Sequence, residues 1–266
     1  MTAVYLYDST CEGMLCAVAR AVKENPDIAR VTGIYAAHRY APRLFDAAHE
    51  VITDGDQAGR LLNYLRELGD GAPTLALNAY LSEDDQAARH LAVVVSESLS
   101  RGKTVLSHLT HDSVHYLRRC SRAVSFEAHR YKGMLRFAKL GDGMLYGPFA
   151  PRHQVLHYCA KHFAHRLGSR HWIIHDLRRG WAIYWDTRKP REVRVDEEIA
   201  RQVRAAGAVP AEHVAQDELY YQMMWREFHH AISIGARTKT RLQRQFMPHR
   251  FWKYLVEQQG GSELKS

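Results

Sequence analysis

Apolar residues follow two different periods along the first 30 residues of the chain. VYLYD (4–8) is rich in strand-forming side chains and predicts a short β-strand. The next stretch, CEGMLCAVARAVKEN, places apolar residues three and four apart, which predicts an amphipathic helix. Pro26 ends that pattern, because proline cannot continue a helix.

Helical spacing returns three times before residue 131. The pattern predicts a helix over 56–68, one or two helices over 74–100 and a long helix over 111–130. Residues 33–45 show no clean period and are expected to form a loop or a short strand. Residues 1–110 are therefore predicted to be mainly helical, with a leading strand.

The period changes again after Gly133. Residues 134–150 resemble a β-hairpin, 153–167 return to helical spacing, and 171–195 alternate as a strand–turn–strand–strand meander. This order predicts an α+β fold with a central antiparallel β-β-α-β-β-β sheet, flanked by N- and C-terminal helices. The C-terminal helices are expected at 197–206, at 214–234 and from Pro248 onward.

The pattern divides the chain into three regions. They are a mainly helical region (1–110), a basic α+β region (111–258) and a frayed tail (259–266). The 266 residues suit one large domain or two small ones. We expect the first two regions to form one compact unit.

Charge is distributed unevenly between the two ends of the chain. Residues 1–100 hold 8 basic and 14 acidic side chains, whereas residues 101–266 hold 29 basic and 15 acidic ones. A net charge of +14 in the second part indicates a polyanionic partner. The alternative is a basic domain that binds no polyanion.

Several classes of protein are not indicated. The apolar runs are shorter than the roughly 18 residues that a membrane span needs, and no signal-peptide pattern opens the chain, so a cytoplasmic location without membrane contact is expected. The four cysteines form no CxxC pair and no CxxxCxxC motif, and are expected to be reduced thiols. No phosphate-binding glycine loop and no GxSxG elbow occurs, so no cofactor and no metal is expected.

The first candidate site is SFEAHRYKGMLRF (125–137), where a helix pattern gives way to a strand pattern. Its basic side chains could bind phosphate while a glutamate orients an arginine; a solvated basic face with an internal ion pair explains the same pattern. The candidate residues, with one more arginine on the preceding helix, are Arg122, Glu127, His129, Arg130, Lys132 and Arg136.

The second candidate site is WIIHDLRRGW (172–181). His175 and Asp176 end an apolar strand, and such a pair could act as a general base, while Arg178 and Arg179 could bind phosphate. A structural histidine near a turn is the more common outcome. A third pattern, histidines spaced by four over 153–165, could suit zinc, but a lysine shares that face and no acid or cysteine does, so chance spacing is favoured.

The third candidate site is RTKTRLQRQFMPHRFWKYL (237–255), which is basic and aromatic and contains no acid. Its apolar spacing argues against a disordered tail, and Pro248 interrupts a continuous membrane-surface helix. Cations there could bind phosphates and aromatic rings could stack on bases. The predicted contacts, expected to share one face with the 118–136 region, are Arg241, Arg244, Arg250, Trp252 and Lys253.

These motifs together resemble a known family. The matching stretches are VYLYDSTCEGMLCAV, RYAPRLF, FEAHRYKGMLRF, WIIHDLRRGWAIYWD and RLQRQFMPHRFWKYLVE, in this order over nearly the whole chain. They resemble the family described as "probable DNA metabolism protein", domain of unknown function 4130. The chain departs from the family's usual YDGSFEG start, where it reads YDSTCEG, and in the segments 39–45 and 236–240.

The resemblance implies a DNA-repair context. The family is often encoded beside a radical SAM protein assigned to DNA repair, and related domains are fused to uracil-DNA glycosylase-like modules, so both are implied as partners. The leading hypothesis is a DNA-binding accessory protein of DNA repair or modification. The alternatives are a hydrolytic DNA-processing enzyme using His175, Asp176, Glu127 or His129, and a protein-interaction adaptor without nucleic-acid contact.

Overall fold

The computed structural model describes residues 2–108, 110–231 and 247–259. Two compact units make up the chain, Met1–Phe126 and Glu127–Ser266, and the division falls inside the long helix α5 (Asp112–Met134). The predicted α+β class is confirmed, because helices combine with one sheet in each unit. Most of the expected tail, residues 260–266, lies outside the described residues.

The first unit contains a parallel sheet in addition to its helices. Its strands are β1 (Thr2–Tyr7), β2 (Val31–Ala36) and β3 (Asp46–Glu50), in the order β2-β1-β3. The short strand or loop expected over 33–45 is present, because β2 covers the first four of these residues, but the parallel sheet to which β2 belongs was not predicted. Parallel strands pair across long crossovers, so the local sequence pattern carries little sign of their partners.

Five helices contribute to the first unit. They are α1 (Cys11–Glu24), α2 (Gly55–Leu68), α3 (Ala72–Leu81), α4 (Ala87–Arg101) and the first part of α5. Their apolar faces form one core with β1 and β2. The start of α1 is fixed by Thr10, whose hydroxyl accepts the N–H of Gly13 at 2.9 Å.

The second unit contains the five strands that the hairpin and meander patterns predicted. They are β4 (Ala138–Lys139), β5 (Leu145–Phe149), β6 (Trp172–Asp176), β7 (Trp181–Trp185) and β8 (Pro190–Val193), in sequential order. The sheet is mixed rather than antiparallel, because β5 and β6 pair in parallel. Helix α6 (Leu156–Arg166) connects these two strands, so the chain re-enters the sheet in the same direction.

Helices cover both faces of this sheet. On one face Phe163 of α6 packs against Phe137, which in turn contacts Trp172. On the other face α7 (Glu197–Ala206) packs on Tyr146 and on Ile173, the strand neighbour of Trp172. Adjacent strand residues point to opposite faces, so α6 and α7 lie on opposite sides of the sheet.

The C-terminal helices differ from the expectation in one place. Helix α8 (Glu218–Ala231) lies within the predicted 214–234, but the helix predicted from Pro248 consists of two short 3₁₀ segments, His249–Tyr254 and Val256–Gln258. Buried Phe251 and Leu255 anchor them. Among the described residues, no helix is both long and apolar enough to cross a membrane.

Candidate nucleic-acid interface

Glu127 is a buried anchor at the start of the second unit. Its side chain is 3% exposed, and its carboxylate accepts the backbone N–H groups of Arg152 at 3.2 Å and His153 at 2.7 Å. Arg250 also donates to it, at 3.2 Å. Glu127 therefore holds the loop after β5 and the C-terminal segment in place. The hydrogen bonds from these donors offset the free-energy cost of burying its carboxylate.

The predicted pair His175–Asp176 does not form a joint site. Because neighbouring residues on β6 point to opposite faces of the sheet, the two side chains diverge. His175 is 1% exposed, and its Nδ1 lies 2.7 Å from the Tyr146 hydroxyl. Burial, reinforced by the nearby Arg204 charge, lowers the pKa of His175 to about 4, so the ring is neutral at physiological pH.

Asp176 shapes the turn between β6 and β7. It is 1% exposed, and it accepts the backbone N–H groups of Arg178 and Arg179 and the Arg179 guanidinium at 2.7 Å. Burial raises the pKa of Asp176, and the Arg179 contacts oppose that rise. The geometry of the pair favours structural roles for both residues over general base catalysis.

Four of the predicted phosphate-binding arginines are committed to contacts within the second unit. Arg178 and Arg179 donate to the carbonyl oxygen of Arg152, and Arg179 also to that of Pro151. Arg250 pairs with Glu127, as described above. Arg136 pairs with Glu257 at 2.6 Å, and the side chain of Glu257 is only 4% exposed.

The other predicted residues differ in their unit and in their exposure. Arg122 belongs to the first unit, where it lines a cavity of about 350 Å³ with His115 and Arg118. In the second unit His129 and Lys253 are exposed, and Arg130 and Lys132 are half-buried. Trp252 is half-buried and donates its indole N–H to the Met247 carbonyl oxygen at 2.8 Å. Arg241 and Arg244 lie outside the described residues, so the shared face with the 118–136 region stays a prediction.

A different set of cations forms a basic surface on the described part of the second unit. We call it the α6 basic cluster, and its members, all exposed except the half-buried Lys132, are Lys132, Lys161, His165, Arg166 and Arg170. Burial and then the charges of Lys132, Arg166 and His165 lower the pKa of His162, and no carboxylate raises it. Like charges act in this way only when they lie close together, so Lys132, Arg166 and His165 create a local positive potential around His162.

The sequence contains a signal for this cluster in the composition of one segment. KHFAHRLGSRH (161–171) holds three Lys or Arg and three His residues and no acid. The histidine spacing on this helix was interpreted only as a zinc motif. Among the described residues, no group of three or more His, Cys, Asp or Glu side chains is arranged to hold a metal ion.

An aromatic cavity of about 570 Å³ lies beside the cluster. It is bounded by the end of α5, the C-terminal turn of α6, helix α8 and the last 3₁₀ segment. Arg166 belongs both to its rim and to the α6 basic cluster. The lining residues are Gly133, Leu135, Arg136, Phe137, Phe163, Arg166, Leu167, Glu218, Tyr221, Gln222, Trp225 and Val256.

Comparison with known proteins identifies a family but no activity. The model of the family described as a domain of unknown function, DUF4130, matches residues 85–257. The chain belongs to the DUF4130 family. No curated protein and no solved structure matches it.

The DUF4130 match includes the whole described site. It begins before α4 and ends at Glu257, so it contains the Glu127 anchor, the α6 basic cluster and the aromatic cavity. The family description supplies no substrate. A function for this DUF4130 chain must therefore be argued from the chemistry of these residues.

Proposed function

We propose that the chain is a DNA-binding protein of DNA repair or modification, and that the α6 basic cluster contacts the phosphate backbone. The observation that carries this proposal is the group of basic side chains on and beside α6; burial lowers the pKa of His162, and the nearby charges of Lys132, Arg166 and His165 lower it further. Lys and Arg side chains bind phosphates without regard to sequence and release counterions when they do. A cluster of this kind fits a polyanion better than it fits a small neutral ligand.

Some of the described cations elsewhere in the second unit pair with acids. Lys139 pairs with Asp217, Arg191 with Asp186 and Arg201 with Glu198. Within the described part of the chain, the Lys and Arg members of the cluster form no ion pair with a carboxylate. Their charges are therefore available to an external anion at little cost, because no internal partner must be displaced.

A salt series with matched variants tests the proposal. Fluorescence anisotropy would measure the affinity for a labelled DNA duplex between about 50 and 200 mM salt, the range over which phosphate contacts weaken strongly. We expect Arg166→Glu to weaken binding and to lower the slope of log affinity against log salt by about one or more. Arg201→Glu is the control, because it makes the same reversal of charge on α7, on the opposite side of the sheet.

Two outcomes would contradict the proposal. If the unaltered protein binds no DNA at low salt, DNA binding is wrong and the protein-interaction adaptor becomes the better hypothesis. If the protein binds DNA but Arg166→Glu and Arg201→Glu change the slope equally, the cluster is not the contact surface.

The radical SAM partner belongs to the same proposal and rests on the family resemblance alone. Co-elution of the two purified proteins on size exclusion is the expected result. Separate elution at micromolar concentration would remove the partner from the proposal while leaving DNA binding in place.

A further inference from the structure

The aromatic cavity beside the α6 basic cluster has the dimensions and walls of a ligand site. Its volume of about 570 Å³ lies within the range of roughly 300–1,000 Å³ that small ligands occupy in proteins. Phe137, Phe163, Tyr221 and Trp225 supply aromatic surface. Tyr221 is 59% exposed and Trp225 is 40% exposed, so the α8 side of the cavity is open to an incoming molecule.

Polar contacts hold Trp225 in a fixed position. Its indole N–H donates to the Glu257 carboxylate at 3.0 Å, and the Arg136 guanidinium lies 5.6 Å from its ring centroid. Burial alone would raise the pKa of Glu257, but hydrogen bonds from Arg136 and Trp225 keep it below its usual value. A ring anchored in this way loses little conformational entropy when a ligand stacks on it.

The same cavity offers one amide for recognition at its polar edge. Glu218 is 8% exposed, and its carboxylate accepts the backbone N–H of Lys139 at 3.0 Å and one N–H of Gln222 at 2.8 Å. Glu218 orients the Gln222 side chain through this contact. The amide carries a carbonyl acceptor and a second N–H, the two groups that pair with the edge of a nucleobase.

We propose that this cavity receives one unpaired nucleotide, with its base stacked between aromatic walls and its phosphate at Arg166. The inference rests on the proposed DNA binding and adds the form of DNA that is bound. The rim favours this occupant by charge, since Arg166 is cationic while Glu218 and Glu257 are engaged in internal hydrogen bonds. Every base has a π-face, so the site selects for an unpaired base rather than for a sequence.

The test compares two DNA molecules that differ at one nucleotide. One is a perfect duplex, and the other is the same duplex with a single extra, unpaired 2-aminopurine. We expect the protein to bind the bulged duplex about tenfold more tightly, which corresponds to one base–aromatic stack. The fluorescence of 2-aminopurine should fall on binding, because stacking on an aromatic ring quenches it.

Three variants locate the effect. Trp225→Ala and Tyr221→Ala should each abolish the preference and the quenching while leaving duplex affinity and its salt slope unchanged. Trp181→Ala is the matched control, since Trp181 is also exposed (42%) and lies under an arginine, Arg194, but does not line the cavity. This variant should retain the preference for the bulged duplex and the quenching of 2-aminopurine.

The outcomes separate the two proposals. Equal affinity for both DNA molecules, or a preference that survives both α8 variants, would overturn the cavity assignment and leave the basic cluster standing. Failure to bind either DNA would overturn the proposed function itself. Dimerisation or peptide binding that depends on Trp225 without a DNA preference would show that the cavity takes a protein partner instead.

Discussion

The two units bury polar side chains of different kinds. Among the described residues, those buried in the first unit are all neutral, and those buried in the second can all titrate. The first set is Asn78, Ser82, Ser98 and Ser113; the second is Glu127, His175, Asp176 and Glu218. Neutral groups exchange no protons on folding, so the four buried polar side chains of the first unit should add no pH dependence to its stability, whereas the four of the second unit can do so.

Several acidic side chains of the second unit are buried and stabilise loops instead of facing solvent. Residues 127–266 hold 24 basic and 14 acidic side chains, against 13 and 15 in residues 1–126. Glu127, Asp176 and Glu218 all accept backbone N–H groups and fix loops around the sheet. Their charges face inward, which leaves the outer surface, including the α6 basic cluster, more cationic than the composition alone indicates.

The largest expected effect comes from Glu127→Gln. The amide nitrogen of glutamine cannot accept a hydrogen bond, so a backbone N–H of the loop after β5 loses its partner, and the charge that Arg250 contacts is removed. We expect a loss of about 2–4 kcal/mol in the free energy of unfolding, measured by urea denaturation. Arg250→Gln is the control and should cost less, because the Arg250 side chain is 45% exposed. Equal losses would show that the ion pair, and not the loop, dominates.

The second effect is a loss of stability in mild acid. The pKa of His175 is lowered to about 4 in the folded chain against 6.5 when unfolded, so between these values only the unfolded state binds the proton. The free energy of unfolding should therefore fall by about 2 kcal/mol from pH 6.5 to pH 5. Urea titrations of His175→Asn should lack that slope. A slope retained in the variant would assign the acid sensitivity to another group.

The smallest expected loss of stability comes from a substitution in the first unit. Asn78 is buried and donates to the Ser121 hydroxyl at 2.8 Å. Asn78→Ala should cost about 1 kcal/mol, the usual value for a neutral hydrogen bond. The loss should be equal at pH 7.5 and pH 5, because no proton is linked to it. A loss that depends on pH would contradict the proposed difference between the neutral buried groups of the first unit and the titratable ones of the second.

Local sequence patterns predicted the helices and strands better than they predicted which strands pair with each other. The hairpin, the meander and the helix between them follow from local periodicity, and β4 to β8 share one sheet as expected. The parallel pairings of β1 with β3 and of β5 with β6 depend on long crossovers and were missed. A local period does not report which distant strand lies alongside.

Local sequence patterns also predicted only part of the candidate site. The charge asymmetry indicated a polyanion, and of the predicted residues Lys132 belongs to the α6 basic cluster, whereas Arg136 pairs with Glu257. The sequence alone did not show that Arg178 and Arg179 bind carbonyl oxygens, or that His175 and Asp176 point apart. Those facts depend on strand alternation and on contacts between residues distant in sequence.

The measurement that tests the central claim most directly is the pKa of His162 with and without DNA. Burial and then nearby cations lower this pKa in the free protein, and a bound phosphate backbone would offset the charges of those cations. NMR titration of the imidazole, assigned with His162→Gln, should show a higher pKa in the DNA complex, and by linkage the affinity for DNA should rise as pH falls through that range. A pKa unchanged by saturating DNA would contradict binding at the α6 basic cluster.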